Sequence, residues 1–210
     1  SIISASLAYK RDFLATASKD LTVRVWQTSP LRLVLTHMCH HSPLALSMDP
    51  YGRELVVAYV DGVRCYSIVE GMLMEAEELR HEFGPPPPPG GAGPAGAAAA
   101  AAADAHHLRR HALSGPSSLD HCSLVRYSPT GALIAAAAGP GGRHVYIFST
   151  LTKRQLAVLA GHYEAVLDLT WSDDGAYLAT SGEGAVFTWA MDGFRRIQEN
   201  TSKLYLNDAI

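Results

Sequence analysis

Charged residues are scarce in this sequence. They make up 18% of its 210 residues, against 48% for hydrophobic residues, and the formal net charge is −3. The apolar content is sufficient for a sizeable core, so global disorder is not expected. A small negative charge provides no whole-chain attraction for nucleic acid or for anionic lipid.

Cysteines and long apolar runs are also few. The three cysteines are widely spaced and form neither a disulfide framework nor a CxxC pair, so reduced thiols in a cytosolic compartment are expected. No apolar run approaches the roughly 20 residues that a membrane-spanning helix needs. The sequence contains no Walker loop, GxGxxG, HExxH or GxSxG motif. The glycine-rich segment 139–142 is interpreted as a hairpin turn, because it lies between two predicted strands and opens no helix.

What the chain does contain is an internal repeat. Three turns combine Ser or Asp at the first position with Gly at the last, and a degenerate turn occupies residues 9–12. The turns with this chemistry are Asp49-Pro50-Tyr51-Gly52, Ser128-Pro129-Thr130-Gly131 and Ser172-Asp173-Asp174-Gly175. Each turn is followed by two short apolar runs, and the second run carries an aromatic residue: Trp26, Tyr66, Phe148 or Trp189.

These aromatics are 40, 82 and 41 residues apart, and the long interval contains a low-complexity insert. A unit of roughly 40–45 residues with four short strands is typical of propeller blades. We therefore predict an all-β fold of about four blades, an incomplete part of a larger propeller. The chain begins with Ser1 in strand-like sequence, and we expect it to be a piece of a longer protein.

The insert divides the repeats into two pairs. We predict two blades over residues 1–83, a Pro/Gly/Ala-rich disordered insert over 84–118, and two blades plus the start of a further strand over 119–210. The insert includes Pro85–Pro89 and Ala97–Ala103 and has almost no large apolar side chains.

The repeats resemble known families. Residues 14–26 and 159–189 are similar to the core of a WD repeat. The order of degenerate and well-formed units, with segments 49–57, 121–128 and 185–189, resembles the cilia- and flagella-associated WD-repeat proteins, especially the branch linked to inner dynein arms. The resemblance implies a scaffold on the axoneme. The family's long coiled coils have no counterpart here, and the Pro/Ala insert is a departure from its pattern.

Gly161-His162, Ser181, Glu183 and Trp189 form the most informative set of polar residues. A Ser–His–acid triad is one interpretation, but nothing supplies a cleft or an oxyanion hole. The WD resemblance implies a structural relay instead, in which the acid accepts from the imidazole, and the hydroxyl bonds to the imidazole and the indole. The first unit has the same spacing in Ser18, Asp20 and Trp26. The two middle units lack the set and are expected to rely on apolar packing alone.

Histidines and a cysteine cluster at His37, Cys39, His40 and His41. Zinc would need three or four ligands in a tetrahedral array. The favoured interpretation is that His40 or His41 fills the loop-histidine position of the repeat. No metal site, cofactor or catalytic residue is predicted.

The leading functional hypothesis is a non-catalytic protein–protein interaction scaffold. Candidate contact residues on the loops of one face are Lys19, His41, Tyr163 and Glu164. The resemblance implies axonemal partners, namely dynein-arm or adaptor subunits with tubulin as a further option. The charge and the lack of long apolar runs predict neither a nucleic-acid nor a membrane partner. The alternatives are a cytosolic WD adaptor, such as a ubiquitin-ligase or trafficking subunit, and a metal-binding or hydrolytic enzyme.

Overall fold

The repeating turns separate short strands that assemble into four sheets. A computed structural model describes residues 1–79, 122–138 and 140–201, and within them sixteen strands form four antiparallel sheets of four strands each. The strands of the first two sheets are β1 (Ile2–Ala8), β2 (Phe13–Ser18), β3 (Thr22–Thr28), β4 (Leu31–Met38), β5 (Ala45–Met48), β6 (Glu54–Tyr59), β7 (Gly62–Val69) and β8 (Met72–Leu79).

The remaining strands follow the long insert in the sequence. They are β9 (Leu124–Tyr127), β10 (Leu133–Ala138), β11 (His144–Ser149), β12 (Gln155–Leu159), β13 (Val166–Trp171), β14 (Tyr177–Gly182), β15 (Ala185–Ala190) and β16 (Arg195–Thr201). Every sheet is a meander in which strands adjacent in sequence pair with each other. A 3-10 turn at Pro140–Gly142 joins β10 to β11, which confirms the predicted hairpin connection.

The sheets stack through their first strands. The backbone N–H of Leu46 in β5 donates to Ser4 Oγ in β1 (3.2 Å), and the N–H of Tyr127 in β9 donates to Ser47 Oγ in β5 (3.0 Å). Strand β13 continues the series by contacting β9. The first strands of successive sheets therefore lie next to one another, and the second, third and fourth strands of each sheet follow in order. This is the arrangement of blades in a propeller. The prediction of an all-β fold with four blades is confirmed.

The core lies between successive blades rather than inside one sheet. Three clusters of buried residues join the first blade to the second, the second to the third, and the third to the fourth. Strand β10 is covered on both faces, and Ile134 to Ala138 are fully buried. A strand covered on both sides needs apolar residues at every position instead of alternate ones, and the alanine run meets this requirement.

Within the described residues, strand direction assigns each connection to one of two faces. We call the lower face the one that carries the turns after the first and third strands of each blade. The upper face carries the turns after the second strands and the connections between blades. On the lower face, turns of different blades meet: the N–H of Lys10 in the first blade donates to the Pro50 carbonyl in the second (3.1 Å), and Tyr9 Oη in the first blade donates to the Pro129 carbonyl in the third.

Some predictions fall on other parts of the chain. The insert over 84–118 and any further strand after residue 201 lie outside the described residues. In the described ranges, no helix is long and apolar enough to cross a membrane.

Candidate functional site

A buried hydrogen-bond relay lies at the entrance to the fourth blade. His162, in the connection from β12 to β13, places Nε2 2.7 Å from Thr180 Oγ1. The indole N–H of Trp189 donates to the same oxygen (3.0 Å). The indole proton and the hydroxyl proton both have acceptors if Thr180 accepts from the indole and donates to Nε2, which leaves the imidazole neutral with its proton on Nδ1. Burial lowers the pKa of His162, in agreement with a neutral ring.

The hydroxyl of this relay is Thr180 and not the predicted Ser181. The register pairs Leu178 with Trp189 and Ser181 with Val186, so Thr180 shares the face of Trp189 while Ser181 lies on the opposite face. Glu183 is exposed in the turn after β14, and His162 bonds only to Thr180 within the described residues. The prediction that Glu183 accepts from the imidazole is therefore wrong for this structure.

The first blade has the same correction. Trp26 Nε1 donates to Thr16 Oγ1 (3.0 Å), whereas Ser18 Oγ donates to the carbonyl of Ser1 (3.0 Å). Asp20 accepts from the backbone and the hydroxyl of Thr22 (3.1 and 2.5 Å), and so it orders its own turn instead of a histidine. The bond from the Thr22 hydroxyl lowers the pKa of Asp20.

The second blade contains a different polar network. Cys39 is buried, and Tyr59 Oη donates to its Sγ (3.3 Å); Tyr59 and Tyr66 share a hydroxyl–hydroxyl bond of 3.0 Å. His40 and His41 are exposed. Among His37, Cys39, His40 and His41, the buried residue is therefore the cysteine and not a histidine, and the expectation of apolar packing alone is wrong for this blade. Burial raises the pKa of the Cys39 thiol, which disfavours the reactive thiolate.

The upper face carries the four predicted contact residues. Lys19 lies in the β2–β3 turn, His41 in the β4–β5 connection, and Tyr163 and Glu164 in the β12–β13 connection; all four are exposed, Tyr163 by 81%. The Tyr163 backbone is held by Arg143 Nη1, which donates to its carbonyl (3.4 Å).

His41 belongs to a small charged group on this face. Its Nε2 lies 3.7 Å from Asp61 Oδ2, and Arg64 donates to both carboxylate oxygens of Asp61 (2.8 and 3.3 Å). These bonds and the nearby charge lower the pKa of Asp61, with the Arg64 hydrogen bond as the main cause. In residues 1–79, 122–138 and 140–201, no group of three His, Cys, Asp or Glu residues is placed to hold a metal ion.

Sequence reasoning missed three apolar residues on the upper face. Leu21, Leu44 and Val60 are exposed in the connections of the first two blades. The Leu21 carbonyl accepts from Cys39 N–H (2.7 Å), which ties the β2–β3 turn to the β4–β5 connection. A leucine at a positive φ of 64° in a turn is unusual, but φ cannot be known from the sequence.

The fold and the relay agree with what comparison with known proteins finds. The family model "WD domain, G-beta repeat" matches residues 1–27 and 153–189, which include both tryptophan–threonine pairs. These two segments are therefore similar to WD repeats. Their hydroxyl partners are Thr16 and Thr180, and the middle repeats keep the blade geometry without them.

Two curated relatives match nearly the whole chain, and a third matches about a third of it. Cilia- and flagella-associated protein 57 of Mus musculus is 22% identical over 95% of this chain and 13% of its own length. Cilia- and flagella-associated protein 57 C of Tetrahymena thermophila is 20% identical over 91% of this chain and 12% of its own length. Periodic tryptophan protein 2 of Saccharomyces cerevisiae is 37% identical over 35% of this chain and 9% of its own length. The chain thus spans only a small part of these relatives, and the expected resemblance to the cilia- and flagella-associated family is confirmed.

Proposed function

We propose that this chain is a non-catalytic scaffold of the ciliary or flagellar axoneme, located near the inner dynein arms. The observation that carries the scaffold is a rigid stack of blades with an exposed aromatic and apolar upper face. The names of the relatives that match most of the chain support the ciliary location. Its partners would be axonemal proteins, namely dynein-arm or adaptor subunits, with tubulin as a further option.

The buried relay supports a structural role. Thr180 is fully buried, and its hydroxyl is engaged by both His162 and Trp189. A nucleophile has to reach a substrate carbonyl or phosphorus atom, and a hydroxyl enclosed between an imidazole and an indole cannot do so. The relay instead fixes the β12–β13 connection against the fourth blade, and so it supports the exposed Tyr163 beside His162.

The upper face has the composition of a binding surface. Interface energy is concentrated in a few residues, most often Trp, Tyr and Arg, and the near-neutral contacts around them exclude water. Tyr163 is such an anchor at the third and fourth blades, and Leu21, Leu44 and Val60 provide apolar area at the first two. Lys19, His41 and Glu164 would form the polar rim, where charges affect specificity more than affinity.

The location is tested by tagging the protein in ciliated cells and fractionating isolated cilia. We expect recovery on axonemes that resist detergent and salt. Recovery in the cytosol, or in the detergent-soluble matrix with none on axonemes, would exclude the proposal and support the cytosolic adaptor instead.

The binding face is tested with Tyr163→Ala. This variant should reduce axonemal recovery while the melting temperature stays unchanged, because the side chain is 81% exposed. Leu151→Ala is the matched control, since Leu151 is 91% exposed in a lower-face turn. Equal losses from both variants would show that the upper face is not the contact surface.

A further inference from the structure

A basic and aromatic cluster lies on the lower face, away from the predicted contact residues. It consists of Tyr9, Lys10 and Arg11 in the β1–β2 turn and Tyr51 and Arg53 in the β5–β6 turn, and all five are exposed. We call these five residues the lower patch. They come from adjacent blades and meet because the backbone of Lys10 bonds to the carbonyl of Pro50.

The lower patch is organised around the ring of Tyr51. Lys10 Nζ donates to Tyr51 Oη (3.0 Å) and lies 4.6 Å from the centroid of its ring. The guanidinium carbon of Arg53 lies 4.9 Å from the same centroid. Tyr9 is fixed by its bond to the Pro129 carbonyl. Both phenol groups therefore already have partners, and a ligand need not supply them with hydrogen bonds.

The cations of the lower patch are under-compensated. Asp49 Oδ2 lies 3.6 Å from Arg53 Nε, but this carboxylate is buried and accepts from the backbone N–H groups of Tyr51, Arg53 and Glu54. Glu54 is engaged by Lys153 Nζ (2.7 Å). The exposed anion in these two turns is Asp12, against the exposed cations Lys10, Arg11 and Arg53.

The Lys10 ammonium and the Arg53 guanidinium both lie over the ring of Tyr51, and an anion bound between them would reduce their mutual repulsion. We infer that the lower patch binds an acidic segment of a partner protein, with glutamate or aspartate carboxylates at Lys10 and Arg53 and a side chain packed on Tyr51. Arginine and tyrosine are the residue types that most often dominate interface energies. This inference rests on the proposed scaffold function and names the chemistry of one partner.

The charge balance favours a short acidic peptide over a polyanion. The local excess is small, and the whole chain carries −3, so the patch attracts a long nucleic acid or an anionic bilayer only within about 10 Å, and the remaining charges of such a polyanion gain nothing from the rest of the chain. A segment with a few carboxylates places most of its charge within this range.

The experiment measures fluorescence polarisation of a labelled peptide of six glutamates and one tyrosine, titrated with the full chain. Binding that weakens as salt is added is expected. Arg53→Glu and Lys10→Glu should each weaken it about fivefold or more, since each exposed pair contributes up to about 1 kcal/mol and reversal adds repulsion. Arg154→Glu makes the same change of charge at an exposed lower-face position in the third blade, and it should change binding less than about twofold.

Three results would overturn the inference. They are absence of peptide binding, equal weakening by Arg154→Glu, and tighter binding of a single-stranded oligonucleotide or of vesicles with anionic headgroups. Failure of this test leaves the upper-face proposal untouched, because Tyr163→Ala tests the opposite face. If Tyr163→Ala leaves axonemal recovery unchanged while Arg53→Glu abolishes peptide binding, the lower patch is supported as a binding site and the upper face is not.

Discussion

The Nε2 atom of His162 lies 2.7 Å from the hydroxyl of Thr180, at the point where the last inter-blade connection meets the fourth sheet. The hydroxyl also serves the indole of Trp189. Because both bonds are buried, removing the shared oxygen leaves two polar groups without partners, and this cost exceeds the net value of a single hydrogen bond.

Thr180→Val should therefore lower the free energy of unfolding by about 1–3 kcal/mol. His162→Ala should fall in the same range. Ser181→Ala is the matched control, since Ser181 lies on the opposite face of β14, and its effect should stay within about 0.5 kcal/mol. Urea denaturation of the three variants measures the free energy of unfolding. A larger loss of stability in Ser181→Ala than in Thr180→Val would indicate that Ser181 supplies the hydroxyl of the relay.

The blade pattern was predictable because it depends on local chemistry. Turns with Asp or Ser first and Gly last form without help from distant residues, and the spacing of the aromatics gives the period. The identity of the relay hydroxyl depends on hairpin register. Counting eight residues back from each tryptophan reaches Ser18 and Ser181, but the β2–β3 turn is one residue longer than the β14–β15 turn, so the count does not select equivalent positions.

Contacts between blades were not predictable in the same way. Cys39 becomes a buried partner of Tyr59 because the first blade packs against the second, and no spacing rule relates a cysteine to a tyrosine. The lower patch likewise joins Lys10 to Tyr51 across two blades. Such pairs depend on how sheets stack, which the period alone does not fix.

Stability should fall as the pH is lowered from about 7.5 to 5.5, near the histidine range. Burial holds the pKa of His162 below the ordinary value of 6.5, and His37 and His144 are lowered for the same main reason. The unfolded state binds the proton first, so stability is lost between 6.5 and the lower folded pKa. Asp20, whose pKa is lowered from 3.8, contributes only in more acidic solution.

The contribution of His162 is isolated by measuring unfolding at both pH values in His162→Gln. The drop in stability on acidification should be smaller in this variant than in the natural chain. An equal drop in both proteins would mean that His162 does not couple folding to pH in this range.

Gly52 should be much harder to replace than Gly71. Both have positive φ, +67° and +77°, so alanine costs about 1–2 kcal/mol of backbone strain at either site. At Gly52 the added Cβ would also lie 2.8 Å from Phe13 Cδ2, whereas at Gly71 nothing lies within 4 Å. Gly52→Ala should therefore cost about 1–3 kcal/mol more than Gly71→Ala, as overpacking does. Equal melting temperatures for the two variants would contradict the close approach of the Phe13 ring to Gly52.

Deleting residues 84–118 should leave the fold intact. This segment contains only two large apolar residues, Leu108 and Leu113, so it has little to contribute to a core. We expect a change below about 1 kcal/mol, which is roughly 2–4 °C in Tm for a chain of this size. A Gly/Ser linker of the deleted length is the control for chain connectivity. A fall of many degrees in both proteins would show that the insert packs on the blades.

Two blade faces remain uncovered in the described residues. Trp26 pairs with Leu33 on the side of the first sheet that is turned away from the second sheet, and Leu33 is 47% exposed. Val186, 41% exposed, lies on the side of the fourth sheet opposite to the buried Phe187. Apolar area of this kind marks an interface. We expect further blades of the same protein to cover both faces in a complete propeller.

The chain of 210 residues, expressed alone, should therefore self-associate at micromolar concentrations through these faces. Leu33→Glu combined with Val186→Glu should shift sedimentation velocity profiles towards the monomer, because a carboxylate placed in a dry sheet-to-sheet contact loses its hydration without gaining a partner. Leu151→Glu is the control: it adds one carboxylate, half the charge of the double variant, at a residue that is 91% exposed in a lower-face turn, and it should leave association unchanged. If the natural chain stays monomeric and folded at these concentrations, the two uncovered sheet faces are stable in water without a further blade packed on them. Equal dissociation by the control would trace association to net charge instead of to the uncovered sheets.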